Sequence, residues 1–416
     1  MTRATEPVER TPKARLYDPA RDAARLLGWF GFAVLMVGAP LIGVLSRRAL
    51  VVLLPVGAAI LAAGYLLSVS RSGLQAFGRA LASPIGTAAL FVAGWAALSL
   101  VWTPFPELAA PRLLGSAATV LVAALVVAHI PERRATRTLY LLPGGLVLTS
   151  IATAGLALAG PASFRGGTEF DPSLIERSAL TLTVLVWPAL GALATFGRSG
   201  LAIGLAVVVV AGLAAASAPI ALAAFAFGAT AFAIAMDAPR GVARVAAAGF
   251  VALMVVAPAL PFVLAPLARA VPMVGQATVA AMTDWRDLVI GAPLRLITGH
   301  GLDSAREGVI LGFLPPHTPR SVLFEAWYDL GVLGVLAIAA VFALGLLAAG
   351  EAAPLVAPAV LGSVVSVLAV AVFGVATAEL WFVTLVSLCG VALGLLARSG
   401  RSTRPSLRGT PDETDL

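Results

Sequence analysis

The chain has 416 residues, 60% of them hydrophobic and only 12% charged, with a mean hydropathy of +0.98. That composition excludes a soluble globular domain, and apolar runs recurring at about 20 residues mark helices that cross a membrane. The net charge of +7 marks loops facing anionic lipid rather than nucleic-acid binding, and no RNA or DNA motif is present.

Residues 1–27 carry Arg3, Arg10, Lys13, Arg15, Arg21 and Arg25 and few apolar side chains, and read as a cytoplasmic tail ending in a short interfacial segment. The first apolar run lacks an A-x-A cleavage pattern, so it reads as a retained helix and not a signal peptide. Apolar runs follow at 28–45, 50–68, 83–101, 113–130, 138–160, 178–196, 200–216, 220–236, 245–266, 323–349, 354–376 and 380–397. The fold class is therefore all-α: a polytopic membrane helix bundle with about 12 transmembrane helices. The runs 200–216 and 220–236 are parted only by Ser217, Ala218 and Pro219, and a single broken helix is the alternative there. The organisation is a tail (1–27), nine helices (28–266), a long outer loop (267–322), three helices (323–397) and a second cytoplasmic tail (398–416). The lone Cys389 lies in an apolar run, where it reads as a small buried residue.

Orientation follows from the basic residues. With the N-terminus inside, the inner segments hold 18 of the 28 Lys and Arg, and five of the outer ten lie in the long loop, which the positive-inside rule discounts. Both termini are then cytoplasmic, with Arg47 and Arg48 against the trend. Arg is used almost to the exclusion of Lys (27 to one), alongside heavy Ala and Gly use. Codon bias accounts for that, so Arg in place of Lys says little about phosphate binding.

Charge reaches the outer face in three places. The first is Leu100-Val-Trp-Thr-Pro-Phe-Pro-Glu107 followed by Arg112, where Trp102 reads as an interfacial anchor or a substrate contact. The second runs from Arg165 to Arg177 into a helix, and Arg177 in the first turn either snorkels or binds an anion. The third is the long loop. Its 281–297 stretch interleaves Trp285, Leu288, Val289 and Leu296 with Asp284, Arg286, Asp287 and Arg295, as a short amphipathic helix on a bilayer does, and Pro293 breaks it. Gly299-His300-Gly301 reads as a tight turn that puts His300 on a loop. Pro315-Pro-His317-Thr-Pro-Arg320 reads as rigid and extended, and it delivers a histidine and an arginine to the start of the tenth helix, which opens with Glu325, Trp327, Tyr328 and Asp329. His129, at an inner helix end, reads as structural. No metal-ligand spacing, Walker A motif or G-x-S-x-G is present. Ionisable groups deep within the spans are almost absent, which argues against an ion-coupled transporter.

Taken in order, Leu98-Ser-Leu-Val-Trp-Thr103 with Pro106, then Trp285-Arg286, then Gly299-His-Gly-Leu302, then a histidine-bearing turn running into Glu325-x-Trp-Tyr-Asp-Leu-Gly331, resemble the O-antigen ligase and Wzy-type polymerase superfamily. The specific part of the resemblance covers roughly 98–112 and 284–334. It implies a GT-C-like inner-membrane glycosyltransferase with its site facing the periplasm. The implied donor is an undecaprenyl-diphosphate-linked glycan and the implied acceptor is lipid A-core or another glycan. The implied reaction is inverting, independent of metal, and has no cofactor. The partners implied are membrane lipids and no nucleic acid. Carried over, Arg286 matches a diphosphate-binding arginine and Arg177 a second. With the helix motifs aligned through Trp327, the family's His-Asn pair falls on Arg320 and Ser321, and His317 lies one turn earlier; the chain has no asparagine. Either His317 supplies the base from a shifted position or the usual base is absent. The family also places an arginine near the eighth helix that Ser217-Ala-Pro-Ile lacks. The expected catalytic set is His317, Arg286 and Arg320, and the expected substrate and diphosphate contacts are Arg177, Arg286, Arg112, Arg295, His300, Glu325 and Asp329.

Such a set has a physical logic. Guanidinium groups give paired hydrogen bonds to phosphate oxygens and stabilise the leaving diphosphate, and a histidine with a pKa near 6.5 can take the acceptor hydroxyl proton. Glu325 and Asp329 either orient a histidine, bind sugar, or simply place charge in a helix's first turn. A carrier of the same lipid-linked glycan and a non-catalytic assembly subunit are the rival expectations, and ligase and polymerase share the same parts.

Overall fold

The computed structural model describes residues 19–46, 48–66, 72–130, 138–160, 171, 173–270, 276–374 and 379–402. Arg47, Arg71, Arg165 with its neighbours 161–170, the arginines of 131–137 and most of both tails lie outside the described residues. Among the described residues every element is helical. The helices are α1 (Pro19–Ala33), α2 (Ala39–Gly43), α3 (Ala49–Leu66), α4 (Ser72–Leu81), α5 (Pro84–Ser99), α6 (Pro106–His129), α7 (Leu141–Ala159), α8 (Ser173–Thr195), α9 (Ser199–Ala216), α10 (Pro219–Ala235), α11 (Pro239–Val256), α12 (Leu260–Ala270), α13 (Gln276–Gly291), α14 (Arg295–Thr298), α15 (Ser304–Ile310), α16 (Val322–Glu325), α17 (Gly331–Gly350), α18 (Ala357–Phe373) and α19 (Leu380–Ser402).

Nine of these helical stretches are long and apolar enough to cross a membrane, and ten if the bent pair α4–α5 counts as one span. The 70° bend of that pair has a local cause: Ser83 caps α5 through the Gly86 N–H at 3.1 Å, and Pro84 starts the new helix. The first span is longer than its apolar run, because α1 begins at Pro19 and continues through a π-turn (Val34–Gly38) into α2. Between α9 and α10 the chain breaks fully: Ser217 takes a left-handed conformation (φ 50°) and Pro219 starts the next helix, so these are two helices. Pro293 falls between α13 and α14, where the sequence places a break.

The bundle is organised around α8. Seventeen residues of this helix are buried, from Leu174 to Leu193, and it packs against α7, α9, α10, α18 and α19. Its buried hydroxyls bond within the protein. Ser178 and Thr181 donate to carbonyls one turn back, and Thr183 donates to Ala221 at 3.1 Å. The Trp187 indole donates to Ser366 Oγ at 2.8 Å, which donates to the Ala224 carbonyl at 3.0 Å. This three-helix junction depends on Gly228, since a Cβ there would fall 2.0 Å from Ser366 Oγ. Without a hydrophobic drive between helices in lipid, such close packing and internal hydrogen bonding hold the bundle together. Cys389 is buried, 3.7 Å from the Val184 carbonyl. His129 donates to Leu125 at 2.8 Å and stacks on Tyr65, a contact within the bundle.

Candidate functional site

One end of the bundle gathers the C-terminus of α5, the N-termini of α6, α8 and α19, and the connection from α13 to α17. The start of the tenth apolar run is the key local element. Residues Ala326–Leu330 form a π-turn, and Gly331 then takes φ 63°. The break frees the carbonyls of Tyr328, Asp329 and Leu330 from helix bonding, and buried carbonyls need partners. His300 N–H donates to Tyr328 at 2.7 Å, Gly301 N–H to Asp329 at 2.9 Å, and the Trp95 indole to Leu330 at 2.8 Å. Gly299 and Gly301 make this docking possible. Both have positive φ (72° and 100°); a Cβ on Gly299 would lie 2.2 Å from the Asp329 carbonyl, and one on Gly301 would lie 2.5 Å from Thr103 Cα. The loop is tied to α5 and the turn after it: Thr103 Oγ1 donates to Leu302 at 2.8 Å, and Leu302 N–H donates to Ser99 Oγ at 3.1 Å. The sequence-predicted turn at 299–301 is therefore a clasp between distant parts of the chain.

Three charged clusters surround this frame. In the first, Arg112 on α6 bonds to Asp303 and to Glu307, the latter at 2.6 Å. Asp329 caps the short helix carrying these acids, accepting from the N–H groups of Asp303 (3.0 Å) and Ala305 (2.8 Å). Asp329 thus serves another segment, not its own helix start. Glu325 is buried nearby in the wall of the same cavity.

The second cluster joins three distant segments. Arg177 Nη2 on α8 lies 3.3 Å from Glu379 Oε2, and Arg320 Nη2 lies 3.5 Å from Glu379 Oε1. The Trp381 indole also donates to Glu379, and the Arg177 guanidinium sits over the Trp381 ring at 5.0 Å.

The third holds Arg295 and His300 around a small cleft with Trp285, Trp327 and Tyr328. His300 stacks on Tyr328 with ring centres 4.0 Å apart, and its Nδ1 lies 3.1 Å from the Tyr328 carbonyl. Burial lowers the His300 pKa below the usual imidazole value and Arg295 adds to this, against the carbonyl contact, which raises it.

Two expected site residues stand outside these clusters. Arg286 forks onto its neighbour Asp287 (3.0 and 2.8 Å), while Trp285 beside it is buried edge-on against Phe324. His317 is exposed at the tip of a turn whose base is fixed by Thr318, which donates twice to the Pro315 carbonyl (3.1 and 2.8 Å). The segment therefore turns at Pro316 and His317 instead of running extended throughout as its prolines suggest, because Thr318 closes it back onto Pro315. Glu379, Trp381, Asp303 and Glu307 are the members that sequence reasoning missed. For Glu379 a signal exists: a single acid between the last two apolar runs, on the same side as Arg177.

A cavity of about 440 Å³ lies among α5, α6, α17, α18 and α19. Its walls are apolar (Val92, Leu113, Phe250, Phe342 and Phe382 among them), and Arg112, Asp303, Glu325 and Asp329 also line it. Val322 and Phe382 line it too, so Arg320 and Glu379 stand two and three residues outside its wall. Among the described residues no group of three or more His, Cys, Asp or Glu side chains is placed to hold a metal ion. No protein-family model matches the chain, and no curated protein sequence matches it significantly.

Proposed function

We propose that the chain is a membrane glycosyltransferase that moves a glycan from a polyprenyl-diphosphate donor to a sugar hydroxyl at the outer face. One observation carries this reading: Arg177 and Arg320, from separate segments, meet at one carboxylate, and the chain running on from Arg320 and from Glu379 enters the wall of an apolar cavity within three residues. Two guanidiniums match the two phosphates of the donor, and the cavity suits a hydrocarbon chain. Arg112 is engaged by two buried acids, so it braces the loop. Arg286 lies on α13, apart from this pair and forked onto Asp287.

The chemistry is a displacement at the glycan's anomeric carbon. The acceptor oxygen forms the new bond, the bond to the phosphate oxygen breaks, and its electron pair leaves with the diphosphate. Arg177 and Arg320 stabilise that departing charge, and His317 takes the acceptor's proton. Direct attack inverts the anomeric centre.

In this reading the nine long helices, the bent pair α4–α5 and the shorter α10 and α18 make twelve spans. α10 and α18 have 17 residues each, roughly 25 Å of helix, and pack on each other. Both termini are then cytoplasmic and the charged end faces the periplasm of a bacterial inner membrane. Ligation of O-antigen to lipid A-core is the leading reaction, and Wzy-type polymerisation is the alternative.

The test is transfer by purified protein from a short-chain prenyl-diphosphate glycan to lipid A-core, in EDTA. Glycan appearing on the core defines a ligase; longer prenyl-linked chains define a polymerase. His317→Ala is expected to lower turnover by about 10²-fold, the usual worth of a general base. Absence of turnover by wild type, with donor still bound, would point to a carrier.

A further inference from the structure

Two arginines facing each other at a lipid surface form a pocket for any anion, and the membrane is full of singly charged phospholipid head groups. In this protein an anion from the chain already occupies the pocket. Arg177 and Arg320 each contact a different oxygen of Glu379, at 3.3 and 3.5 Å, through single long contacts and not paired forks. The carboxylate is fixed from the side by the Trp381 indole, which also carries the Arg177 guanidinium on its ring. Glu379 is about a fifth exposed and Arg320 almost half, so the trio is open to a ligand. Two cations around one anion leave a net charge of +1.

We infer that Glu379 is a specificity-determining residue, a built-in competing anion that keeps singly charged lipids out of the pocket and yields only to a diphosphate. The inference rests on the proposed donor. A lipid with one phosphate charge would replace one monoanion by another and gain nothing for displacing Glu379. A diphosphate brings at least one further charge and enough oxygens to engage both guanidiniums as forks, which the single carboxylate does not do. The displacement cost is the same for every ligand. Its effect is a threshold: it lifts the dissociation constant for bulk anionic lipid above that lipid's concentration in the membrane, while the diphosphate still binds.

The experiment measures binding of a short-chain prenyl diphosphate to the full-length protein in lipid nanodiscs. One set of discs is phosphatidylcholine alone and the other contains phosphatidylglycerol in equal parts. Glu379→Gln keeps an acceptor for the Trp381 indole and removes the charge; Glu379→Asp keeps the charge. The comparison is the variant-to-wild-type ratio within each disc type, which removes the general repulsion of the donor by an anionic surface. In neutral discs Glu379→Gln should bind about twofold to fivefold more tightly than wild type, the worth of one partly exposed ion pair. In anionic discs that advantage should vanish, because phosphatidylglycerol now fills the pocket, and Glu379→Asp should follow wild type in both. A Glu379→Gln affinity no better than wild type in neutral discs overturns the inference, as does an advantage that survives in anionic discs. Failure of wild type to bind the prenyl diphosphate in either disc overturns the proposed donor itself, and the inference with it.

Discussion

Arg112 and Arg320 are both arginines at the same end of the bundle, yet their surroundings are opposite. Arg112 faces two carboxylates whose side chains are 2% and 5% exposed, and one of them, Glu307, also lies 3.6 Å from Arg306. Arg320 shares a single carboxylate with Arg177, and that trio is 22–46% exposed. The first cluster sets two almost fully buried acids against Arg112, with Arg306 also near one of them, so each of its charges is matched and they hold the loop in place. The second has more cations than anions and is open, which is the arrangement that a phosphate ligand requires. The count of opposite charges and their burial, more than the residue type, separate an arginine that braces the fold from one held for a ligand.

The sharpest way to break this contrast is to remove Arg112. Arg112→Leu leaves Asp303 buried without its cation and Glu307 with only Arg306, and loss of one partner of a buried pair costs about 3–5 kcal/mol. Thermal unfolding of the purified variant should show a large drop in Tm; an unchanged Tm would mean that the cluster does not brace the loop. A smaller effect is expected where the braced loop meets α5. Gly301→Ala puts a Cβ against the Thr103 backbone at positive φ, which costs about 1–3 kcal/mol. By contrast, Gly291→Ala, with nothing within 4 Å of its Cβ, should leave Tm within experimental scatter. The smallest effect concerns acid. His300 has its folded pKa lowered below the unfolded value near 6.5, so the unfolded chain takes up a proton first as pH falls. Its contribution is fully present above the unfolded pKa, is lost as pH falls from there towards the folded pKa, and is constant below it. Unfolding measured at pH 7.5 and pH 5 should therefore show a larger acid loss for wild type than for His300→Gln, and equal losses would contradict the lowered pKa of this half-buried imidazole.

The difference between the two clusters also marks what was legible in the sequence. The apolar runs mark where the helices lie because hydropathy acts locally, although α1, α6 and α11 start six to nine residues ahead of their runs. The Pro293 break and the Gly299-His300-Gly301 turn were legible for the same reason: proline and glycine act on their own backbone. What the sequence does not display is pairing across the fold. Arg112 meets Asp303 across 191 residues, and Arg177 meets Glu379 across 202. Nothing in a local window distinguishes Arg112, which is saturated, from Arg177, which is shared. The role of Asp329 was hidden likewise, since its partners are backbone N–H groups of a helix 24 to 26 residues upstream.

The most direct measurement is glycan transfer from a short-chain prenyl-diphosphate donor by wild type, Arg177→Ala, Arg320→Ala and the double variant, each checked for an unchanged unfolding temperature. Two guanidiniums that stabilise one departing diphosphate act as a unit. Each single variant should therefore lose about 10²-fold in turnover, and the double variant little more. Full activity in Arg320→Ala and in the double variant would contradict the assignment of this open cluster as the diphosphate site.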